Sequence, residues 1–355
     1  MKYCNRVLSS ALAAIAFAGV AQANLPVSFN LAVDPTGVAL QFDVTSDSPL
    51  DAIGFPLFNG SSDHDVQSAV IESGAHRFVV YSKTGAPIAS SGTVSITFSD
   101  GLEAADGAIS LENVTASDAS GQVVTASPNA FPVLAQDFLP HQSLELGDTL
   151  SLESIAFDLD GSLKSLQLLT GSTELDAAAA SPFPLDWTPA TSGIFPLTLV
   201  AVDNADLEKT FDIGAFQAYN ESEITDYDSF GSIHFGDTSN AAFDSDPLDS
   251  GIANGLAYLL GLNPHKPEVL RLPRVKVERD ESSAALVVSF IRDSSATGVD
   301  WSLRSSSDLQ SFEAAVPSDV SDTDNQDGSH SVELRLPLDA ESPATFVDLE
   351  VKQSS

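Results

Sequence analysis

The sequence has almost no cysteine and is poor in basic residues. The only cysteine among the 355 residues is Cys4, near the N-terminus, so disulfides cannot hold the domains together. Only 15 Lys and Arg stand against 50 Asp and Glu, which gives a net charge of −35 at pH 7. This excludes nucleic acid as a partner, because neutralising phosphates requires clustered basic side chains.

Sequence motifs of the common enzyme classes are also missing. The chain has no G-x-S-x-G elbow, no H-E-x-x-H pair, no glycine-rich phosphate loop and no cysteine nucleophile. Among the scattered histidines, only His64 has an acidic setting, between Asp63 and Asp65, and we expect it in a surface turn. A glycosidase carboxylate pair leaves no spacing signal, but the predicted domains are short for such a site. We therefore expect no catalytic activity.

Beyond the N-terminus, no apolar run is long enough to span a bilayer, which takes roughly 20 residues. The first 23 residues have the pattern of an export signal: Lys2 and Arg6, an apolar run, and the small-residue site Ala21-Gln22-Ala23. Cleavage after Ala23 would leave 13 basic and 50 acidic residues, a net charge of −37. We expect a mature chain without a transmembrane segment that is secreted or held at the cell surface, with the periplasm as an alternative.

Residues 24–134 have the pattern of an antiparallel β-sandwich. Apolar residues alternate over residues 38–44 and 94–98, which places them on one buried face, and turn residues separate the runs. The stretch resembles the cohesin and carbohydrate-module type of sandwich of secreted bacterial proteins. The residues that carry the resemblance are 38–44, 79–82 leading to 88–94, and 109–118. The resemblance implies a non-catalytic binding or scaffolding module, in which Tyr81 is the candidate ligand-binding aromatic.

Residues 127–140 contain prolines, and we interpret them as a linker with a boundary near residue 135, where the second region, residues 135–220, begins. The region resembles the immunoglobulin-like repeats of bacterial surface proteins, and Trp187 is the predicted core anchor. The resemblance depends on Phe157-Asp158-Leu159-Asp160-Gly161, the segment 182–189, Gly193, and Ala201-Val202-Asp203-Asn204.

Three acidic residues of this region have two interpretations. Asp158, Asp160 and Asp203 could converge at one end of the sandwich and bind Ca²⁺ through their carboxylate oxygens. Alternatively, each caps its own turn, because Asp accepts hydrogen bonds from nearby backbone amides.

Residues 221–355 combine an acidic loop, a short helix and further strands. Apolar residues recur at helical spacing over residues 252–262, and Gly261 and Pro264 end the run. The region resembles a C-terminal module of large secreted bacterial proteins, in which a dockerin-like acidic loop precedes a helix and a β-rich part. That part is represented by Ser306-Ser307-Asp308-Leu309 and by strands predicted at 286–290, 300–304, 332–336 and 346–351.

The acidic loop departs from the calcium-binding pattern of its type. With Gly251 at position 6, Asp246, Ser250 and Asn254 occupy positions 1, 5 and 9 and are candidate ligands. Leu248 at position 3 and Ala257 at position 12 carry no side-chain oxygen, which predicts a weak site or none. The alternative is a turn and helix with a packing role only.

The sequence therefore predicts a mainly β protein: tandem antiparallel β-sandwiches, cohesin-like and Ig-like, then a short helical acidic-loop segment and a C-terminal β-rich domain. The predicted divisions are 1–23, 24–134, 135–220 and 221–355. The expected function is non-catalytic binding of a polysaccharide or of an extracellular or cell-surface protein, with Ca²⁺ as the only candidate cofactor. A structural spacer, an envelope-sorting protein and a weak accessory to a polysaccharide-active enzyme are the alternatives. Few Trp and Tyr residues favour protein contact over sugar binding.

Overall fold

The structure is a computed structural model that describes residues 24–72, 74–99, 105–236, 241–266, 271–279, 284–338 and 345–354. The predicted export signal, residues 1–23, lies outside the described residues. Of the residues that the structure describes, 53% are in strands and 6% in helices, which confirms the predicted fold class. In the part of the chain that the structure describes, no helix has the length and hydropathy needed to cross a membrane.

The first sandwich consists of two facing antiparallel sheets. Their strand orders are β3-β6-β1-β9 and β4-β5-β2-β7-β8. The strands are β1 Asn24–Asn30, β2 Gly37–Thr45, β3 Ala52–Asn59, β4 His64–Glu72, β5 Ala75–Ser82, β6 Thr93–Ser99, β7 Ser110–Asp118, β8 Val123–Val124, β9 Asn129–Ala130 and β10 Val133–Leu134, of which β10 pairs elsewhere.

Aromatic side chains fill the centre of the first sandwich. Phe29, Phe42 and Phe78 are fully buried, and their ring centroids lie 5.3 to 6.0 Å apart. The strands predicted from alternation at 38–44 and 94–98 fall within β2 and β6. Because alternate side chains of a strand face opposite sides, the periodic apolar residues of these segments supply the core.

The middle region contains eight further strands. Antiparallel pairs join β14 to β15, β14 to β17, and β12 to β16, where Leu150 lies opposite Trp187. Trp187 is buried, as predicted. The last part of β18 pairs in parallel with β11, from His141↔Ala215 to Glu145↔Tyr219. The strands are β11 His141–Glu145, β12 Leu150–Leu152, β13 Ala156–Phe157, β14 Leu163–Thr170, β15 Thr173–Ala178, β16 Leu185–Trp187, β17 Gly193–Asp203 and β18 Glu208–Tyr219.

The segment interpreted as a linker, residues 127–140, is held by hydrogen-bonded strand pairing. Strand β9 pairs with β1, with Phe29 opposite Ala130, and β10 pairs with β13. Val133 is buried at 4% exposure and belongs to the core of the first sandwich. The prolines of this segment signalled a break in regular structure, but its apolar side chains dock it onto the neighbouring strands.

The described residues of the C-terminal region form two helices and two sheets, β19-β20-β24-β23 and β22-β21-β25. The predicted helix is α2, which ends at Gly261 in the left-handed conformation. Helix α1 was not predicted; Asp226 caps its N-terminus by accepting a hydrogen bond from the Ser229 amide. The elements are the 3₁₀ turn Glu221–Glu223, α1 Tyr227–Phe235, α2 Asn254–Leu260, β19 Arg274–Arg279, β20 Ala284–Asp293, β21 Val299–Ser306, β22 Glu313–Ala314, β23 Asp319–Asp324, β24 Ser329–Pro337 and β25 Phe346–Gln353.

The chain divides into two compact units. The first comprises Met1–Pro140, Thr149–Trp187 and Pro196–Gly214, and the second comprises His141–Asp148, Thr188–Phe195 and Ala215–Ser355. The first unit therefore holds the first sandwich together with much of the middle region. Leu159 of the middle region is fully buried within the core of the first sandwich. The three-domain division of the mature chain stays a prediction.

Candidate metal centre

Three carboxylates of the first unit lie together where the middle region meets the first sandwich. Asp158 follows β13, Asp160 lies in the same turn, and Asp203 ends β17. Asp160 and Asp203 both act on Asp158 as like charges. The structure thus brings together the three acids that the sequence singled out in this region.

Asp203 is a buried turn cap. Its Oδ1 accepts hydrogen bonds from the amides of Ala205, at 2.8 Å, and Leu207, at 2.7 Å. Its Oδ2 accepts one from Nδ2 of Asn129, at 2.7 Å. Capping of its own turn therefore accounts for Asp203, although a carboxylate oxygen with one or two hydrogen bonds keeps lone-pair capacity for a metal ion.

Asp160 is held by the first sandwich. Both of its carboxylate oxygens lie 3.1 Å from the amide nitrogen of Ala130 in β9, which donates to them. Burial raises the pKa of Asp160, and the Ala130 amide opposes that rise. The hydrogen-bond partner of Asp160 is thus an amide 30 positions earlier in the chain, outside its own turn.

The hydrogen bonds that hold Asp203 and Asp160 have no counterpart at the Asp158 carboxylate. Asp158 is 0% exposed, and as an ion it has no hydrogen-bond partner at its buried Oδ1 and Oδ2. Burial, a side-chain hydrogen bond with Asp160 that requires a shared proton, and the negative charges of Asp160 and Asp203 raise the pKa of Asp158 to about 8, and the Asp160 backbone amide opposes this rise. A buried carboxylate with so few donors is strongly unfavourable as an isolated ion, so it requires either a proton, which it can share with the Asp160 carboxyl, or a cation.

Gly161 lies directly beside two of the candidate ligand oxygens. A Cβ atom at this position would lie 2.5 Å from Oδ2 of Asp158 and 2.5 Å from Oδ1 of Asn204. The two oxygens therefore face the same small volume, which stays open because Gly161 has no side chain. Sequence reasoning missed Gly161 and Asn204, although each directly follows one of the acids that it selected.

The donor chemistry of the site suits a hard cation. Its side chains offer carboxylate and amide oxygens without thiolate or imidazole, a set that favours Ca²⁺ or Mg²⁺ over zinc. Among the described residues, no group of three or more His, Cys, Asp or Glu has the arrangement to hold a metal ion by itself. An ion would therefore need Asn204 and backbone or water oxygens beside the carboxylates, since calcium takes about six to eight oxygen ligands.

Backbone hydrogen bonds fasten the acidic turn to the first sandwich. The Asp158 amide donates to Oδ1 of Asp106 at 2.9 Å, and the Gly107 amide donates to the Asp158 carbonyl at 3.0 Å. The Ile109 amide donates to the Leu159 carbonyl at 2.8 Å. Together with Asn129 and Ala130, these residues surround the candidate ligands of the middle region with groups from the first sandwich.

The second predicted metal site, in the second unit, is organised as a turn. Oδ1 of Asp246 accepts from the amide and hydroxyl of Ser250, both at 3.0 Å, and Oδ2 accepts from the Gly251 amide at 2.6 Å. Partial burial opposes the effect, but these bonds lower the pKa of Asp246. Nδ2 of the Asn254 side chain donates to the Ala242 carbonyl at 3.1 Å. The candidate ligands Asp246 and Asn254 thus hydrogen-bond to backbone groups of their own loop, and calcium binding here stays a prediction.

Two further sequence-selected residues have different outcomes. Tyr81 lies in β5 opposite Asp65 and Ala39, and its role in ligand binding stays a prediction. The expectation that His64 is a surface turn residue was wrong. His64 begins β4, is 5% exposed, and its Nε2 lies 2.9 Å from the Ala86 carbonyl. The acidic residues beside it indicated exposure, but its ring packs against Phe58.

A serine–histidine contact in the second unit resembles part of a catalytic arrangement. Oγ of Ser143 lies 2.6 Å from Nδ1 of His234 and 3.2 Å from Oδ1 of Asn263. Ser143 is 2% exposed and His234 is 1% exposed. Burial holds the pKa of His234 well below its usual value, so the ring is neutral. A nucleophile must reach its substrate, and this buried pair is better described as a polar contact that anchors α1 to β11.

No family model and no curated protein sequence matches this chain. Among solved structures, the fibronectin(III)-like modules of Clostridium thermocellum CbhA match at 15% identity and a TM-score of 0.22, over 25% of this chain and 94% of theirs. BcpA, the major pilin subunit of Bacillus cereus, matches at 6% identity and a TM-score of 0.20, over 55% and 69%. The chicken CNTN1 FN1-FN3 domains match at 10% identity and a TM-score of 0.21, over 91% of each chain. Similarities this low establish no common function.

Proposed function

We propose that this chain is an exported, non-catalytic scaffold in which a calcium ion that binds at Asp158, with Asn204 and backbone or water oxygens as its other ligands, makes the first compact unit rigid. The observation that carries the proposal is the Asp158 carboxylate, which is completely buried and, as an ion, has no hydrogen-bond partner. Export is supported by the signal pattern of residues 1–23.

The position of the site supports a structural role for the ion. Asn129, Ala130 and Asp106 of the first sandwich hold the acids of the middle region through their side chains or backbone. An ion that neutralises those acids would therefore strengthen contacts between two β-sheet regions, since groups around a metal ligand fix its orientation. Without a cation, the same contacts would depend on a proton on Asp158.

Binding of an extracellular protein or a polysaccharide is compatible with this scaffold. The absence of catalytic motifs and the burial of the Ser143–His234 pair support a non-catalytic function. The proposal assigns no ligand to the scaffold's surface, and Tyr81 remains the predicted contact for a sugar.

The test is thermal unfolding of the mature chain at pH 8 with calcium or with a chelator. A ligand at one hundred times its Kd stabilises the native state by about 2.7 kcal/mol, which corresponds to roughly 5–10 °C for a unit of this size. We expect this upward shift in the wild type and its loss in Asp158→Asn, because the variant removes the unpartnered charge.

Asp118→Asn is the matched control. Asp118 caps a turn of the first sandwich through the amides of Ser120 and Gln122, and its pKa is lowered by these contacts. This variant should lower the melting temperature and keep the calcium shift. A wild type whose melting is the same with calcium and with chelator would refute the calcium proposal.

A further inference from the structure

Two consecutive strands of the first sandwich, β3 and β4, expose apolar side chains. We name these side chains the β3–β4 patch, and they are Ile53, Phe55, Leu57, Val70 and Ile71. Phe55 is 92% exposed, Leu57 is 70% exposed and Val70 is 64% exposed. Exposed apolar side chains in such numbers are candidates for an interaction site.

Both strands of the patch are terminal in their sheets. Strand β3 ends the order β3-β6-β1-β9, and β4 ends the order β4-β5-β2-β7-β8. Among the described residues, only β6 pairs with β3, so the other edge of β3 has no strand partner, and Pro56 is the one residue of β3 without an N–H to donate. Such an edge is a template for an added strand.

The local geometry of β3 displays its side chains outward. Its pairing with β6 shifts register between Ile53 and Leu57, and Gly54 within this bulge has a φ of 77°. A bulge bends its strand and redirects the neighbouring side chain, here Phe55. Ile53, Phe55 and Leu57 are all exposed, so β3 offers apolar side chains against which those of an added strand would pack.

The charges around the patch select the partner. Residues 24–76 contain no Lys or Arg, whereas Asp47, Asp51 and Asp65 are exposed on the segments beside and within the patch. Strand β3 itself carries no charged residue. A second copy of this chain would bring the same acidic surroundings to the interface, and like charges disfavour that pairing.

We propose that the β3–β4 patch binds an extended segment of another protein, with alternating apolar side chains and flanking Lys or Arg residues, which adds as a strand to the free edge of β3. The apolar residues of the segment contact Ile53, Phe55 and Leu57. Its basic residues lie near the acidic side chains that border the patch, which steers association and sets its orientation.

The test uses the full mature chain and a fluorescent peptide about as long as β3, with Val and Phe alternating with Thr and two lysines at each end. We expect saturable binding in fluorescence anisotropy that weakens at least about tenfold in Phe55→Ser, as expected for a central aromatic contact. Val123→Ser is the matched control, because Val123 is 79% exposed in β8 and should leave binding unchanged.

Two further measurements separate strand addition from general attraction to an acidic protein. A peptide with glutamates in place of the lysines should bind at least about tenfold more weakly, and bound peptide should slow amide exchange in β3. The proposal is overturned if Phe55→Ser binds the lysine peptide as well as the wild type does. It is also overturned if sedimentation shows a wild-type dimer that Phe55→Ser converts to a monomer, since the occupant would then be a second copy.

Discussion

Two acidic loops of this protein, one in each compact unit, are similar in sequence and opposite in their hydrogen bonding. In the first, Asp158 precedes Gly161 by three residues and has two buried oxygens without donors. In the second, Asp246 precedes Gly251 by five residues, and its oxygens accept from Ser250 and Gly251. The loop around Asp246 donates hydrogen bonds to its own carboxylate, whereas Oδ1 and Oδ2 of Asp158 have no hydrogen-bond partner.

This comparison shows what makes an acidic turn a candidate for metal binding. Asp-rich spacing alone describes both loops. The distinction depends on whether backbone amides of the same loop point at the carboxylate, since each such bond supplies the stabilisation that a cation would otherwise provide. In the Asp158 turn the Gly161 amide donates to the Asp158 backbone carbonyl at 3.4 Å, whereas in the second loop the Gly251 amide donates to the Asp246 carboxylate at 2.6 Å.

The largest expected difference between the loops comes from their glycines. Gly161→Ala places a Cβ 2.5 Å from Oδ2 of Asp158 and from Oδ1 of Asn204, so it should abolish the calcium-dependent rise in melting temperature, roughly 5–10 °C. Gly251→Ala meets nothing within 4 Å but has a φ of 79°, so it should cost about 1–2 kcal/mol and change no calcium response. Calorimetric melts of both variants with and without calcium measure this. A calcium shift that survives in Gly161→Ala would place any ion elsewhere.

The loops should also differ in the sign of their pH dependence. The folded pKa of Asp158 is raised from 3.8 to about 8, so metal-free folded protein keeps a proton that the unfolded chain loses, and stability falls as pH rises through this range. The pKa of Asp246 is lowered, so its contribution is complete above pH 3.8 and is lost as pH falls through the folded value.

Thermal unfolding of the wild type and Asp158→Asn in the presence of chelator, between pH 4 and pH 9, tests the predicted fall in stability with rising pH. We expect the wild type to lose roughly 5 °C more than the variant across this range, and calcium to restore the loss at the alkaline end. Parallel curves for the two proteins would contradict the assignment of a buried, protonated Asp158.

The smallest expected effect belongs to the second loop. Asp246→Ala removes the acceptor of three hydrogen bonds on a partly exposed loop and should destabilise the second unit by about 1–2 kcal/mol. The calcium-dependent shift should remain at the wild-type value, as measured by denaturant unfolding with and without calcium. Loss of that shift would show that the second loop also binds calcium and would remove the contrast between the loops.

Much of the fold could be predicted because its signals are local. Alternation over 38–44 and 94–98 identified strands β2 and β6, and the run that ends at Gly261 identified α2. Helix α1 was missed because it has nine residues and a mixed apolar pattern, although Asp226 and Gly236 cap its two ends. The strands β9 and β10 were missed because two-residue strands exist only through their partners.

The candidate site was predictable in part. Asp158 and Asp160 are neighbours in sequence, and Asp203 was recognised from its place after a strand. Asn129 and Asp106 were not recognised, because their contacts with Asp203 and Asp158 span 74 and 52 positions of the chain. No local pattern records such contacts, and only the packing of the two regions creates them.

The path of the chain through the first sandwich has a mechanical consequence. Strand β9 runs antiparallel to β1, and the Phe131 amide donates a hydrogen bond to the Ser28 carbonyl. Leu25 and Leu134 line one cavity. The start and the end of the sandwich therefore lie side by side. A stretching force between them would peel β9 from β1 without shearing the aromatic core. Asn129 and Ala130, which hold Asp203 and Asp160, are in the peeled strand. The candidate metal site therefore adjoins the strand that would separate first, and an ion bound there would oppose the separation of β9 from β1.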